Sequence, residues 1–424
     1  MREHPVLAAA ALHGVRLGLD RMRRFMRALG SPHTRYPIVH VAGTNGKGSV
    51  CTMVAAVLRQ QGYSVGLYTS PHLQRVNERI RVNGREISDP VLDGLLGRVG
   101  ELSRTLGRDL IELDEAEEAL TYFETITAAA FLHFADAQVD VAVVEVGMGG
   151  RLDATNIGRP VVGAITSIGL DHTEVLGPDI SCIAGEKAGI LKPDLPVVVG
   201  GVPADALRVI RAMAQTHGSR LVVYGEDFHL FRDGHGFAWQ GPCSKRGGLS
   251  VGMAGHHQVD NAAVALAILD LLPIELACDE ESVRVGMANV RVPGRLEWLA
   301  PDVLVDAAHN VDGAVTLAAY LRARGGKDRP RRTLLLGASR EKDIRAIGAL
   351  LAPHVDRILT TAGSHPRAMA PGMVASALEG LSIPVMPAGP IEQALPLARA
   401  GGGEVVAAGS IFLVGAVRDL LGIR

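Results

Sequence analysis

Five near-continuous apolar runs of strand length, "PIVHVA", "SVGLYT", "VDVAVVEV", "VVGAITSI" and "PVVVG", recur between Pro37 and Gly200 with helical patterns between them. A strand that is apolar on both faces has to be covered on both, which is the situation of parallel strands under helices. The first intervening helix fits: Val50, Met53, Val54, Val57 and Leu58 keep the i, i+3, i+4, i+7, i+8 spacing of one buried stripe, and Gly62 follows as a closing residue. The class expected is α/β, with a mostly parallel sheet.

After about residue 200 the pattern changes. The stretch "LVVYGEDFHLFRDGHGFAWQGPCSKRGGLSVGMAG" is aromatic, alternating and rich in turn residues, and reads as short antiparallel strands, while "QVDNAAVALAILDLL" reads as a helix. In "RVPGRLE", Arg291 to Glu297, proline and glycine interrupt the helical pattern and suggest a hinge. A second alternation follows in "DVLVDAA", "RTLLLGAS", "DRILTTAG", "IPVMPAG" and "EVVAAGS". Two domains are therefore expected, residues 1–293 and a smaller Rossmann-like α/β unit over 294–424, about 130 residues and within the usual domain range.

The composition narrows the partners. Hydrophobic residues make up 47% of the chain, enough for sizeable cores, and the 43 basic and 45 acidic residues nearly cancel. That balance gives no electrostatic reason to expect nucleic acid or an anionic membrane. Cys51, Cys182, Cys243 and Cys278 show no ligand-like spacing, so a reducing cytoplasm is expected, and no apolar run reaches the ~20 residues of a membrane span. The N-terminus lacks a signal-peptide pattern, and without any oligomerisation signal a monomer is expected.

The residues that could carry chemistry sit after the strands. "GTNGKGS" leaves the first apolar run and enters the first helix, so backbone N–H groups, the helix N-terminus and Lys47 could all face an anion. It departs from the usual P-loop, with two residues between Gly43 and Gly46 and with Gly48 between Lys47 and Ser49. A tight strand-to-helix turn is the plain alternative. Glu145 ends an apolar run, where a carboxylate is costly unless it is paired or metal-bound, and Mg²⁺ favours carboxylates together with phosphates. Asp171 and His172 leave the next run, where an isolated histidine is more often structural. Lys187 reads as a solvated or salt-bridged lysine unless it is buried, in which case a lowered pKa would let it stay neutral and take up CO₂ as a carbamate. "VDAAHN", with Asp306, His309 and Asn310, and Ser410 follow strands of the second unit.

Taken together, "HVAGTNGKGS", "YTSPHLQRVNERI", "LTYFETITAAAF", "VVEVGMGGRLDATN", "SIGLDHTEVLG", "EKAGILKP", "PGRLE" and "DAAHN", in this order, resemble the Mur ligase superfamily and, within it, the folylpolyglutamate synthase/dihydrofolate synthase family. With "RLGLDRM" and "GSIFLVGAV" the resemblance covers almost the whole chain. It implies a P-loop-type ATPase domain joined to a glutamate-ligase domain. ATP would be held by Thr44, Asn45, Gly46, Lys47, Gly48 and Ser49, and by Asn261, Arg295 and Asp306. One Mg²⁺ would be held by Ser70 and Glu145, and a second by His172 with carbamylated Lys187. Lys47, Lys187 and His172 would be the catalytic set. The pterin would touch Arg16, Leu17, Gly18, Thr121, Tyr122, Phe123, Glu124, Leu152, Asp153 and Ala154, and the incoming glutamate Arg79, His309 and Ser410.

The reaction implied is ATP-dependent addition of L-glutamate to dihydropteroate, to reduced folates, or to both, through an acyl phosphate. Catalysis of phosphoryl transfer is largely positioning and charge neutralisation. Two other classes fit these residues less well. A cell-wall Mur ligase would carry a separate UDP-binding domain, and the 36 residues before the first run are fewer than the ~50 a domain needs. A non-catalytic nucleotide switch would need the phosphate loop but neither His172 nor Lys187.

Overall fold

In the computed structural model, which describes residues 4–111, 119–234, 236–326, 329–363, 365 and 367–423, the chain divides into two units. The first comprises Met1–Pro71, Val76–Val251 and Asp260–Val290; the second comprises His72–Arg75, Gly252–Val259 and Arg291–Arg424.

The apolar runs of the first unit form one sheet of β1 (Ile38–Ala42), β2 (Val65–Tyr68), β3 (Ile80–Val82), β4 (Arg85–Glu86), β5 (Val141–Glu145), β6 (Val162–Ile165), β7 (Val197–Val199) and β8 (Leu221–Val223). The order is β4-β3-β2-β5-β1-β6-β7-β8, parallel throughout except for β3 and β4, which fold back as an antiparallel edge. Strands β1, β5 and β6 are buried along their whole length, as expected of strands covered on both faces. The stripe Val50, Met53, Val54, Val57 and Leu58 on helix Lys47–Gln60 is fully buried. Gly62 adopts φ +103°, the left-handed conformation that closes a helix.

One reading from the sequence is corrected. Leu221–Val223, assigned to the antiparallel region, is β8 and pairs parallel with β7, Val198 opposite Val222. Helix Ala204–His217 supplies the crossover that a parallel pairing needs. The antiparallel part is confined to a separate three-stranded sheet of β9 (His229–Asp233), β10 (Gly236–Gln240) and β11 (Lys245–Leu249). No described helix is long and apolar enough to cross a membrane.

The second unit is built on β12 (Glu297–Ala300), β13 (Val303–Val305), β14 (Arg332–Leu336), β15 (Arg357–Ala362), β16 (Val385–Pro390) and β17 (Glu404–Ala408). Their order is β12-β13-β17-β14-β15-β16, parallel apart from β12. The short segment His72–Arg75, which follows β2 in the chain, is part of this unit. The Gln74 amide donates to Asp419 Oδ1 (2.7 Å) and to the Ile423 carbonyl (2.9 Å) and accepts from Arg418 Nε (3.0 Å). No periodicity signals this, because the segment is irregular and is held by side-chain hydrogen bonds.

Candidate active site

The strand order brings the chemistry-bearing loops together. β1 lies between β5 and β6, and β2 lies beside β5, so the segments leaving these four strands share one edge of the sheet, where open α/β folds place ligands. The segment after β1 is Gly43–Gly46, Glu145 is the last residue of β5, Ser70 follows β2, and Thr166 and Ser167 follow β6.

The Gly43–Gly46 loop is pinned rather than flexible. Thr44 N–H donates to the Ser167 carbonyl (2.8 Å) and Asn45 N–H to Ser167 Oγ (3.0 Å), while the Thr166 hydroxyl donates to the Asn45 carbonyl (2.6 Å). Gly46, at φ +85°, caps helix Lys47–Gln60 without a side chain, which leaves the first-turn N–H groups of that helix directed at the loop's concave side. A Cβ on Gly46 would come within 2.2 Å of Asn261 Oδ1, so only glycine lets this side chain approach. Lys47 Nζ curls back to the carbonyls of Gly43 (3.0 Å) and Thr44 (3.1 Å).

Glu145 is buried, and its Oε2 accepts the Ser70 N–H at 2.9 Å. The same oxygen would lie 3.3 Å from a Cβ on Gly48, so the carboxylate rests against the first turn of the loop's helix. Lys187, on helix Ile180–Ala188, is only 4% exposed and donates to the Gly43 carbonyl at 2.9 Å. Burial brings its amine down to about 7, helped by the charge of Lys47 and opposed by Asp171 and Asp153. The solvated-lysine reading is thereby excluded. His172 takes φ +52° at the start of the short helix Thr173–Leu176. Its imidazole is half exposed, with Nε2 3.9 Å from Asp171 Oδ1.

At the other end of the first unit, Thr121 and Glu124 form a reciprocal capping box on helix Tyr122–Asp136. Glu124 is also gripped by Arg21, whose Nε and Nη2 lie 3.0 and 2.8 Å from its Oε1. Arg21 donates in addition to the Arg16 carbonyl (3.3 Å), tying the irregular segment with Arg16, Leu17 and Gly18 to this helix. The Phe123 ring packs on Gly147, where a Cβ would come within 2.4 Å, and lies 6.1 Å from the Tyr68 ring. Asp153 and Ala154 are buried and Leu152 is half-buried. Arg79 stands over the Tyr122 ring at 5.6 Å, beside the expected pterin residues.

Within the second unit, Asp306 Oδ2 accepts the Leu296 N–H (2.8 Å) and Oδ1 the Ala308 N–H (2.9 Å). Burial raises its pKa while Arg295 opposes the rise. His309 Nδ1 lies 2.9 Å from the Ala307 carbonyl, and Asn310 caps helix Val311–Ala323. Ser410 occupies the N-cap of helix Ile411–Leu420 without making a side-chain cap bond.

The chain matches the family of the Mur ligase middle domain over residues 41–269 and that of the Mur ligase glutamate ligase domain over 294–411. A Bacillus subtilis protein, dihydrofolate synthase/folylpolyglutamate synthase, is 37% identical over 328 residues, 74% of each chain. The chain belongs to the dihydrofolate synthase/folylpolyglutamate synthase family of Mur ligases.

Solved members of this family share the whole fold. The Mycobacterium tuberculosis folylpolyglutamate synthase complexed with ADP superimposes with a TM-score of 0.90 at 35% identity, covering 99% of this chain and 98% of that one. A bifunctional folylpolyglutamate synthase/dihydrofolate synthase with Mn, AMPPNP and L-glutamate bound gives 0.85 at 33% identity, covering 98% of each. As a member, this chain is an ATP-dependent ligase.

The ligase's residues also fit a divalent cation. Among the described residues no three His, Cys, Asp or Glu side chains form a cage. A hard cation that takes one or two carboxylates and completes its shell with phosphate and water needs none, and Glu145 lies against the phosphate loop in that way. Four further residues enter the geometry: Thr166 and Ser167, which hold the loop; Arg21, which holds Glu124; and His257, half-buried, whose pKa is lowered to about 4 chiefly by desolvation and also by the charge of Arg295. Hydroxyls, one arginine and one histidine carry no pattern of their own; only tertiary pairing distinguishes them.

Proposed function

We propose that this ligase joins L-glutamate to dihydropteroate and to reduced folates, with Mg²⁺ as its metal. The observation that carries the reading is the Gly43–Ser49 loop held between Asn261 on one side and Glu145 on the other, a built anion cradle with a hard-cation ligand against it. Thr44 to Ser49 hold the ATP phosphates through backbone N–H groups, and Lys47 leaves its carbonyl partners for phosphate oxygen. Asn261, Arg295 and Asp306 are the further nucleotide contacts of this reading.

Ser70 and Glu145 hold one metal, and His172 with Lys187 as its carbamate holds the other. The metals, when bound, offset the charge that develops on the transferred phosphoryl group. A neutral, buried Lys187 amine adds to CO₂ and releases one proton, leaving an anion beside Lys47. The substrate carboxylate then attacks the γ-phosphorus of ATP and displaces ADP. The neutral amine of glutamate attacks the carbonyl carbon of the resulting acyl phosphate through a tetrahedral intermediate; the C–O bond to phosphate breaks, and the proton lost by the amine leaves with the phosphate as the amide forms.

Arg16 to Gly18, Thr121 to Glu124 and Leu152 to Ala154 hold the pterin end, and Arg79, His309 and Ser410 hold the incoming glutamate. We assign residues 1–293 to nucleotide and pterin binding and 294–424 to glutamate ligation, in a cytoplasmic monomer. The test is ATP-dependent phosphate release with dihydropteroate and with tetrahydrofolate, each with glutamate. Activity with both acceptors supports the reading; activity with the folate alone removes the dihydrofolate synthase half.

A further inference from the structure

β1 is apolar along its length except for His40, which is 2% exposed at the middle of the sheet, in register with Val144 on one side and Gly163 on the other. A buried imidazole in such a strand needs a partner, and it has one. His40 Nε2 lies 2.8 Å from Thr155 Oγ1, and that hydroxyl lies 2.5 Å from Asp153 Oδ1. Asp153 Oδ1 also accepts the Thr155 N–H (3.0 Å), and Oδ2 accepts the Met148 N–H (2.9 Å). His40, Thr155 and Asp153 are all more than nine-tenths buried, so water does not compete for these bonds.

Donor counting fixes the direction of the chain. A hydroxyl has one proton. Burial raises the Asp153 pKa, and the hydrogen bonds it accepts from Thr155 and from the Met148 and Thr155 N–H groups oppose the rise; as a carboxylate it takes the Thr155 proton, Thr155 Oγ1 then accepts from His40, and His40 carries its proton on Nε2. Burial, with Lys192 nearby, keeps the ring neutral by lowering its pKa to about 3. The far end of the chain is the loop from Gly147 to Thr155, clamped end to end by the two oxygens of Asp153 and packed through Gly147 on the Phe123 ring.

We propose that His40 is a positioning residue for the pterin-bearing substrate: by donating to Thr155 it fixes the Asp153 carboxylate, and with it the loop wall facing Phe123. This rests on the reading that Asp153 and Phe123 lie at the pterin end. His40 touches no substrate; it sets the shape of the wall that does.

The test uses the full-length enzyme and three variants. His40→Leu fills the space without a donor, His40→Gln restores an N–H near the Nε2 position, and Thr155→Val removes the relay while leaving the histidine in place. His40→Leu and Thr155→Val are expected to raise KM for dihydropteroate roughly tenfold, the scale of losing a hydrogen bond in a charged network, with kcat and KM for ATP within about twofold. His40→Gln is expected to recover most of the loss. In the wild type, ¹⁵N NMR of the histidines is expected to show His40 as the neutral Nε2–H tautomer. An Nδ1–H tautomer, or variants that lose thermal stability with no selective change in KM for dihydropteroate, would overturn the proposal. A wild type with no dihydropteroate-dependent phosphate release would instead overturn the functional reading beneath it.

Discussion

Lys47 and Lys187 donate to the same oxygen, the carbonyl of Gly43, at 3.0 and 2.9 Å. Two ammonium groups converging on one acceptor repel, which is part of why Lys187 is depressed to about 7. A carbamate on Lys187 turns that repulsion into attraction. Lys187→Ala is therefore expected to lower kcat by about 10²- to 10³-fold, comparable to removing one preorganised charge-stabilising group, with ATP binding changed little. Added short-chain carboxylates are expected to restore part of the rate. Phosphate-release kinetics with and without such an anion check this; full activity of the variant would remove Lys187 from the catalytic set.

Gly46 joins the loop to Asn261. At φ +85°, with Asn261 Oδ1 only 2.2 Å from the position of a Cβ, Gly46→Ala meets both backbone strain and a clash. The strain alone costs roughly 1–3 kcal/mol. The expected outcome is loss of calorimetrically detectable ATP binding together with a lowered melting temperature, whereas Asn261→Ala is expected to weaken ATP without the stability loss.

Much of this was legible in the sequence because parallel strands announce themselves as unbroken apolar runs, and glycines with Lys47 between β1 and its helix announce a phosphate loop. What pattern could not supply was pairing. Glu124 reads as part of the pterin end, and no pattern indicates that its carboxylate also meets the Thr121 cap and Arg21, a residue 103 positions away in the chain. Lys187 reads as solvated because its helix is short and mixed in character; only the fold buries it. His72–Arg75 lie between two elements of the first unit yet belong to the second, and no local signal encodes that.

Arg21 and Glu124 supply a third prediction. Both side chains are largely buried, 14% and 4% exposed, so neutralising one strands the other's charge. Glu124→Gln weakens the capping box as well. It is expected to destabilise the protein by about 3 kcal/mol and to raise KM for dihydropteroate while leaving KM for ATP unchanged. Equal effects on both substrates would contradict the assignment of this end to the pterin.

Acid stability gives a fourth. His40 has its pKa lowered to about 3 in the folded chain, from an ordinary value of 6.5. Between those values the unfolded chain binds a proton that the folded chain does not, so stability is complete above the unfolded value and is lost as pH falls. A single such group contributes a slope of ~1.4 kcal/mol per pH unit within that window. Urea denaturation at about pH 7 and about pH 5 is expected to show a smaller acid-induced loss in His40→Gln than in the wild type, by up to ~2 kcal/mol.

The central claim, that the Gly43 loop activates a carboxylate for glutamate addition, is tested most directly by isotope transfer. Dihydropteroate labelled with ¹⁸O in its carboxylate is incubated with the enzyme, ATP and glutamate, and the released phosphate is analysed by mass spectrometry. An acyl phosphate requires one carboxylate oxygen to leave with the phosphate, so one ¹⁸O per phosphate is expected, together with dihydrofolate as product. Unlabelled phosphate, or phosphate released at the same rate without the acceptor, would contradict the account.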